Sequence, residues 1–300
     1  MSVYNVDGNT VSNLYDSGGS AVSVSYDVNG NIVHSGGVLP VDYDDYTISQ
    51  LYDLDVGNCQ GIAVNNGVLF QFRASYSLLN TVCLFNFATG ADIHRDMTIT
   101  ASHGDSASFS NTYYAEGDEF PLLYVTSDLT PCVIYVNRIT RESTTLVQTL
   151  KFPQTAGYYG AGAFDFDNDI CYILAYKENN ASSDDGGANT TIVSKWDLSN
   201  LTDNGDGSYT PAFISQYERP FISVMQGITY HDGYIWVSSS GNGNHVYAMK
   251  PDTGVIDYSY DIGTGEAEGV DFVLDPVTNL YYMVTGQQNG IYKKITFAAR

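Results

Sequence analysis

Basic residues are scarce in this chain: 12 Lys and Arg stand against 34 Asp and Glu, a formal net charge of -22 over 300 residues. Binding to phosphates needs a basic footprint, so nucleic acid and an anionic membrane surface are excluded as expected partners. Cysteine is equally sparse. Cys59, Cys83, Cys132 and Cys171 lie far apart with no C-x-x-C spacing, each beside strand-forming residues, which reads as buried free thiols rather than disulfides. The start, Met1-Ser2-Val3-Tyr4, has neither a basic segment nor an apolar core, so no secretory signal is expected, and no apolar run approaches the length of a membrane-spanning helix. The expected route is synthesis in the cytoplasm, with any action outside a cell reached by assembly or lysis. Windows with a 3.6-residue apolar period are also missing, which leaves an all-β reading.

What the chain does have is a repeated step in which a glycine beside small or polar residues opens a short hydrophobic run. It occurs as Gln60-Gly61-Ile62-Ala63-Val64, His103-Gly104-Asp105-Ser106-Ala107, Gly160-Ala161-Gly162-Ala163-Phe164, Gln226-Gly227-Ile228-Thr229-Tyr230 and Glu268-Gly269-Val270-Asp271-Phe272. The glycines Gly61, Gly104, Gly162, Gly227 and Gly269 are 43, 58, 65 and 42 residues apart. The shorter intervals match one four-stranded propeller blade, and the longer ones carry insertions.

Each unit reads as a meander. After Gly227 come Ile228-Thr229-Tyr230, an Asp232-Gly233 turn, Tyr234 to Ser238, Val246 to Met249, a Pro251 to Gly254 turn and Val255 to Tyr260. Asn65-Asn66-Gly67, Asp167-Asn168-Asp169 and Pro276-Val277-Thr278-Asn279 occupy the matching first turns elsewhere. Only five residues follow Ile291 to Ile295, so the fifth unit lacks its outermost strand, and Tyr46 to Leu54 resembles the strand required. A ring closed by that N-terminal strand removes two exposed sheet edges. The expected fold is a five-bladed β-propeller over residues 42–300 preceded by a hairpin or linker arm over residues 1–41. The 25 tyrosines and 13 phenylalanines would pack between blades.

In the arm, Tyr4-Asn5-Val6-Asp7-Gly8-Asn9-Thr10-Val11 is nearly repeated as Tyr26-Asp27-Val28-Asn29-Gly30-Asn31-Ile32-Val33, and Ser17-Gly18-Gly19 and Ser35-Gly36-Gly37 follow the two copies. These read as small hairpins and flexible joints. They are not calcium loops, since the glycine falls at the fourth loop position and no Glu follows at the twelfth.

These Tyr-Asp-Val-Asn-Gly-Asn modules resemble linkers of phage and prophage tail and baseplate proteins of Gram-positive bacteria. The ring, with its Gln-Gly and His-Gly steps, is similar to five-bladed propellers of podophage receptor-binding proteins and of teichoic-acid biosynthesis protein C. The resemblance implies a virion protein that binds a cell-surface carbohydrate or teichoic acid, meets other tail or baseplate proteins through its arm, and assembles as a homotrimer. The strong acidity suits an anionic polymer only if a metal ion or a local basic patch mediates its binding.

Propeller ligands bind where the inner strands start. The polar and aromatic residues there are Gln60, His103, Asp105, Tyr158, Tyr159, Gln226, Glu266 and Glu268, offering paired hydrogen-bonding groups for sugar hydroxyls and flat rings for sugar faces. The competing reading is that Gln, His and Glu tie neighbouring blades together. His103, Asp105 and Ser106 are too close along one strand start for a triad. Calcium held by Glu266 and Glu268 is weighed against a water chain and inter-blade hydrogen bonds. A glycosidase needs two carboxylates about 5 to 9.5 Å apart. Asp105, Asp165, Glu266, Glu268 and Asp271 could supply them, but no pair is specific, so no catalytic residue is assigned. A structural docking module is the third reading. The loop Phe109 to Pro121 is the better second binding candidate because it joins Tyr113-Tyr114 to Glu116, Asp118 and Glu119, whereas Glu178 to Asn189 and Ser199 to Ser208 read as solvated loops.

Overall fold

The structure is a computed structural model describing residues 11–15, 21–26, 32–35, 38–54, 58–73, 79–101, 103–104, 106–127, 132–153, 157–177, 190–220, 224–240 and 243–300. No helix occurs among the described residues. The chain divides into two compact units, one of Met1–Ile48, Phe272–Met283 and Ile295–Arg300, the other of Ser49–Asp271 and Val284–Lys294.

In the first unit, β1 (Val11–Tyr15), β2 (Ala21–Tyr26) and β3 (Ile32–Ser35) form an antiparallel sheet in that order. β2 and β3 flank the second copy of the repeated module, with Tyr26 opposite Ile32. The turn of that copy, most of the first copy and nearly all of both Ser-Gly-Gly segments lie outside the described residues. The same unit contains the edge contact of Tyr43 with Phe297, 5.0 Å between centroids, and the Arg300 N–H donating to the Pro40 carbonyl at 3.0 Å.

The second unit is built of four-stranded antiparallel meanders. β5 (Cys59–Asn65), β6 (Val68–Arg73), β7 (Leu79–Asn86) and β8 (Asp92–Thr100) form one sheet, and β17 (Met225–His231), β18 (Tyr234–Ser239), β19 (His245–Met249) and β20 (Ile256–Asp261) another. Their first turns adopt the left-handed backbone that two-residue hairpins demand, with φ of 47° and 72° at Asn66-Gly67 and 49° and 78° at Asp232-Gly233. β21 (Ala267–Leu274), β22 (Tyr281–Gln287), β23 (Ile291–Ala299) and β4 (Val41–Asp53) make a sheet in the order β21-β22-β23-β4, whose residues are divided between the two units. The N-terminal strand therefore takes the fourth place, and the Leu54 N–H donates to the Gly290 carbonyl at 3.0 Å.

The remaining strands are β9 (Ser106–Phe109), β10 (Leu123–Ser127), β11 (Val133–Ile139), β12 (Thr144–Lys151), β13 (Tyr158–Asp165), β14 (Ile170–Tyr176), β15 (Thr190–Asp203) and β16 (Ser208–Pro220). They form two meanders joined into one eight-stranded sheet by a two-residue parallel pairing, Thr149 with Ser208 and Leu150 with Tyr209. This corrects one expectation. Ser199 to Asp203 is not loop but the end of β15, paired through Leu201, Thr202 and Asp203 with Pro211, Thr210 and Tyr209. Leu201 and Tyr209 pack against the core around Phe152 and Trp196, so the hairpin gains burial by extending. The other insertion, Glu178 to Asn189, lies outside the described residues.

The core sits between successive meanders. Phe70, Phe72 and Ile99 meet Phe120, Leu123 and Val125; Ile134 and Phe152 meet Phe164 and Ile173; Tyr172 and Leu174 meet Ile228 and Val237. Strands buried on both faces lose simple alternation, which is why β6 reads Val-Leu-Phe-Gln-Phe and is buried throughout that run. All four cysteines are buried free thiols.

The repeated glycines mark where first strands meet backbone to backbone. A Cβ on Gly269 would collide with the Ile62 nitrogen and come within 2.8 Å of the Gly61 carbonyl carbon, and one on Gly227 would lie 2.6 Å from Gly269 Cα. Only glycine permits this approach. Gly162 donates its N–H to Thr126 Oγ1 at 3.1 Å. Gly104 is different. It precedes β9 in a turn with φ of 82°, against Asn80 and Phe72, and Ser106 makes the central contacts on that strand, reaching the carbonyls of Gly162 and Ile228.

Candidate functional site

The residues at the inner strand starts are tied to one another. Gln60 Nε2 donates to Glu268 Oε1 at 3.4 Å, and both residues are buried, with 5% and 0% of their surface exposed. Gln226 Nε2 donates to Glu266 Oε1 at 2.9 Å, and Ser240 Oγ lies within 3.5 Å of the same oxygen. Both glutamates sit on or just before β21, so two amides brace one strand start against β5 and β17. His103 is half-buried in a left-handed conformation of φ 46°, and its carbonyl accepts from Asn80 Nδ2 at 2.9 Å. Tyr158 and Tyr159 open β13, but their side chains lie outside the described residues, as does Asp105.

The other inner-strand carboxylates face neighbouring meanders. Asp271 Oδ2 accepts the Val64 N–H at 2.7 Å. Asp165 accepts from Asn168 Nδ2 at 2.9 Å and sits beside Tyr230, whose phenol is pushed up by burial and then by that carboxylate. Among the described residues no group of three or more His, Cys, Asp or Glu is arranged to hold a metal ion.

A more open site is built by the loop between β9 and β10. Phe109 and Phe120 anchor its two ends against Phe70, with centroids 5.0 and 5.1 Å away, and the Leu122 N–H donates to the Thr112 carbonyl at 2.8 Å. That base leaves Tyr113 and Tyr114 standing out, 52% and 56% exposed. The Arg138 guanidinium lies 5.3 Å from the centre of the Tyr114 ring and grips Asp118 through two nitrogens, Nη2 to Oδ1 at 2.5 Å and Nε to Oδ2 at 3.1 Å. Its hydrogen bond holds the Asp118 carboxyl below the usual carboxylate range. Arg141 pairs with Glu119 at 2.6 Å. Tyr113 to Asp118 line a depression of about 370 Å³.

The sequence marked this loop by its aromatics and acids. It did not mark Arg138 and Arg141, which lie 20 and 22 residues beyond their partners and meet them only because β11 returns beneath the loop. The result is a partly aromatic surface, with Asp118 and Glu119 paired to arginines, suited to the face and hydroxyls of a ring-shaped polar ligand.

No protein-family model and no curated protein matches the chain. Among solved structures, the chain resembles glutaminyl cyclase of Myxococcus xanthus, at 11% identity over 85% of this chain and 97% of that one, with a TM-score of 0.52. It also aligns with Sqt1 of Saccharomyces cerevisiae, at 13% identity over 94% and 67%, with a TM-score of 0.36, too low to carry an argument. At such identities the likeness speaks to architecture alone. The all-β meanders and this likeness together make the fold a β-propeller.

Proposed function

We propose that this chain is a five-bladed, tail-associated receptor-binding propeller that holds an uncharged cell-surface glycan without cleaving it. Support for five blades comes from counting the eight-stranded sheet as two meanders beside the three four-stranded sheets. The tail setting rests on the Tyr-Asp-Val-Asn-Gly-Asn modules of the arm. The observation that carries the binding reading is the exposed Tyr113–Tyr114 pair, with the Tyr114 ring against Arg138, which grips Asp118.

Charge favours an uncharged glycan over teichoic acid. Arg73, Arg95, Arg138, Arg141, Lys151, Lys177, Lys195 and Lys250 each lie against a carboxylate, which leaves little basic surface for a polyphosphate. Among the described residues, the inner-strand carboxylates of Glu266, Glu268 and Asp271 accept hydrogen bonds from amides or backbone, which argues against a hydrolase acid–nucleophile pair.

The test is a binding screen of the full chain against purified cell-wall glycans and teichoic acids, with and without EDTA. Retention of uncharged glycans, lost in Tyr113→Ala/Tyr114→Ala, is expected. No binding to any polymer would sink the proposal, and release of sugar products would replace it with a hydrolase. Retention of teichoic acid alone, abolished by EDTA, would make the ligand anionic and metal-bridged.

A further inference from the structure

We infer that the extended β15–β16 hairpin carries a second saccharide site, a groove of about 560 Å³ floored by Trp196 and Phe213. For the class of ligand, neutral sugar, the inference rests on the glycan reading; the site stands on its own geometry. Phe213 pairs directly across from Trp196, and the register shift that follows leaves Ile214 as an extra residue on β16. Such a bulge bends a strand and re-aims side chains. Here the Phe213 ring is 56% exposed, and it meets the buried Trp196 edge to face with centroids 5.2 Å apart. Trp196 is in turn fixed by its Nε1 donating to Ser194 Oγ at 2.7 Å and by Phe152, 5.2 Å away. An exposed aromatic on so firm a support is costly in water unless something stacks on it.

The rest of the lining selects the ligand. None of the described residues around the groove is charged, in a chain of net charge -22. Thr202 and Gln216 are exposed at its sides, and the Thr210 hydroxyl, which donates to Asn204 Oδ1 at 3.1 Å, keeps acceptor capacity. An aromatic face flanked by hydroxyls and a primary amide matches the C–H face and hydroxyl edge of a neutral sugar. A charged ligand would find no counter-charge. The volume lies within the range of small-ligand sites and accommodates a short oligosaccharide. The groove exists because the hairpin extends to Asp203 and Ser208 and docks its end on β12, where Lys151 meets Asp206 at 2.6 Å.

Trp196 supplies its own reporter, because it lines the groove and the second tryptophan, Trp236, stacked on Tyr260, does not. Tryptophan fluorescence of the full chain is titrated with maltotriose, laminaritriose and chitotriose, and the same chain is applied to an array of neutral glycans. A saturable fluorescence change with at least one saccharide is expected, weakened roughly tenfold by Phe213→Ala and several-fold by Gln216→Ala, and unaltered by Leu79→Ala, an exposed side chain outside the groove. Both groove residues are exposed, so folding is preserved in the variants. No response to any saccharide, or a response that survives Phe213→Ala, overturns the inference. A concentration-dependent dimer that Phe213→Ala dissolves overturns it too, by showing that a second copy covers the groove. Loss of binding through the tyrosine loop alone would leave the glycan reading standing and remove this site. Loss through the groove alone would keep this site and remove the tyrosine loop as the place of binding.

Discussion

The Ser106 hydroxyl lies 2.9 Å from the carbonyl oxygen of Gly162, joining the first strand of one meander to the first strand of the next. It also lies 2.5 Å from the carbonyl of Ile228, so one side chain serves three strands at the centre of the unit. Ser106→Ala removes the single O–H that the two buried carbonyls share. A loss of about 1–3 kcal/mol in urea unfolding is expected, and an unchanged midpoint would show that water replaces the hydroxyl.

Gly269→Ala is expected to be worse. The added methyl meets backbone of β5 on a strand that cannot move without displacing Glu268 and its Gln60 tie. A cost of about 3 kcal/mol or more, or failure to accumulate folded protein, follows from overpacking against main chain. Gly67→Ala is the control. Nothing lies within 4 Å of its would-be Cβ, so only the positive φ opposes it, at a cost of about 1 kcal/mol. Equal melting points for the two variants would refute the close approach.

Arg138→Lys separates binding from stability. Lysine keeps the charge but lacks the planar fork that holds Asp118 and covers Tyr114. Glycan retention is expected to fall several-fold, while the melting temperature falls by only a few degrees because the lysine ammonium still pairs with Asp118. Unaltered retention would remove Arg138 from any positioning role.

His231 gives the protein an acid-side sensitivity. Burial lowers its pKa from 6.5 to about 4, so the unfolded chain takes up a proton before the folded one as the pH falls. Its contribution to stability is complete above about pH 6.5, declines below it and is gone below about 4. The loss is on the order of 1 kcal/mol after allowing for partial exposure. His231→Gln should flatten the change in melting temperature between pH 7 and 4.5; an identical slope would assign it to other groups.

Turn chemistry made much of the fold legible. Asn66-Gly67 and Asp232-Gly233 are local signals, and they fold as hairpins for local reasons. The strand at Tyr46 to Leu54 was legible because an incomplete last meander leaves an edge that needs a partner. Gly104 misled because a glycine at the right spacing served a turn, while a serine two residues later took the central place. Ser199 to Asp203 misled because polar composition conceals a strand in which Leu201 alone is partly buried against the core. Of the inner polar residues, the sequence located the strand starts but not that Gln60 and Glu268 are bonded partners, 208 positions apart.

An all-β chain of meanders, their turns and the glycines on four of the first strands follow from local residue chemistry, because they depend on φ, side-chain size and alternation over a few residues. Which polar groups are consumed by their neighbours, and which surfaces stay open, depends on how the strands pack. Arg138 reaches Tyr114, Phe213 reaches Trp196 and Ser106 reaches Gly162 through strand return, bulge and strand packing. Those distances are set by the closing of sheets, and no local stretch of residues encodes them.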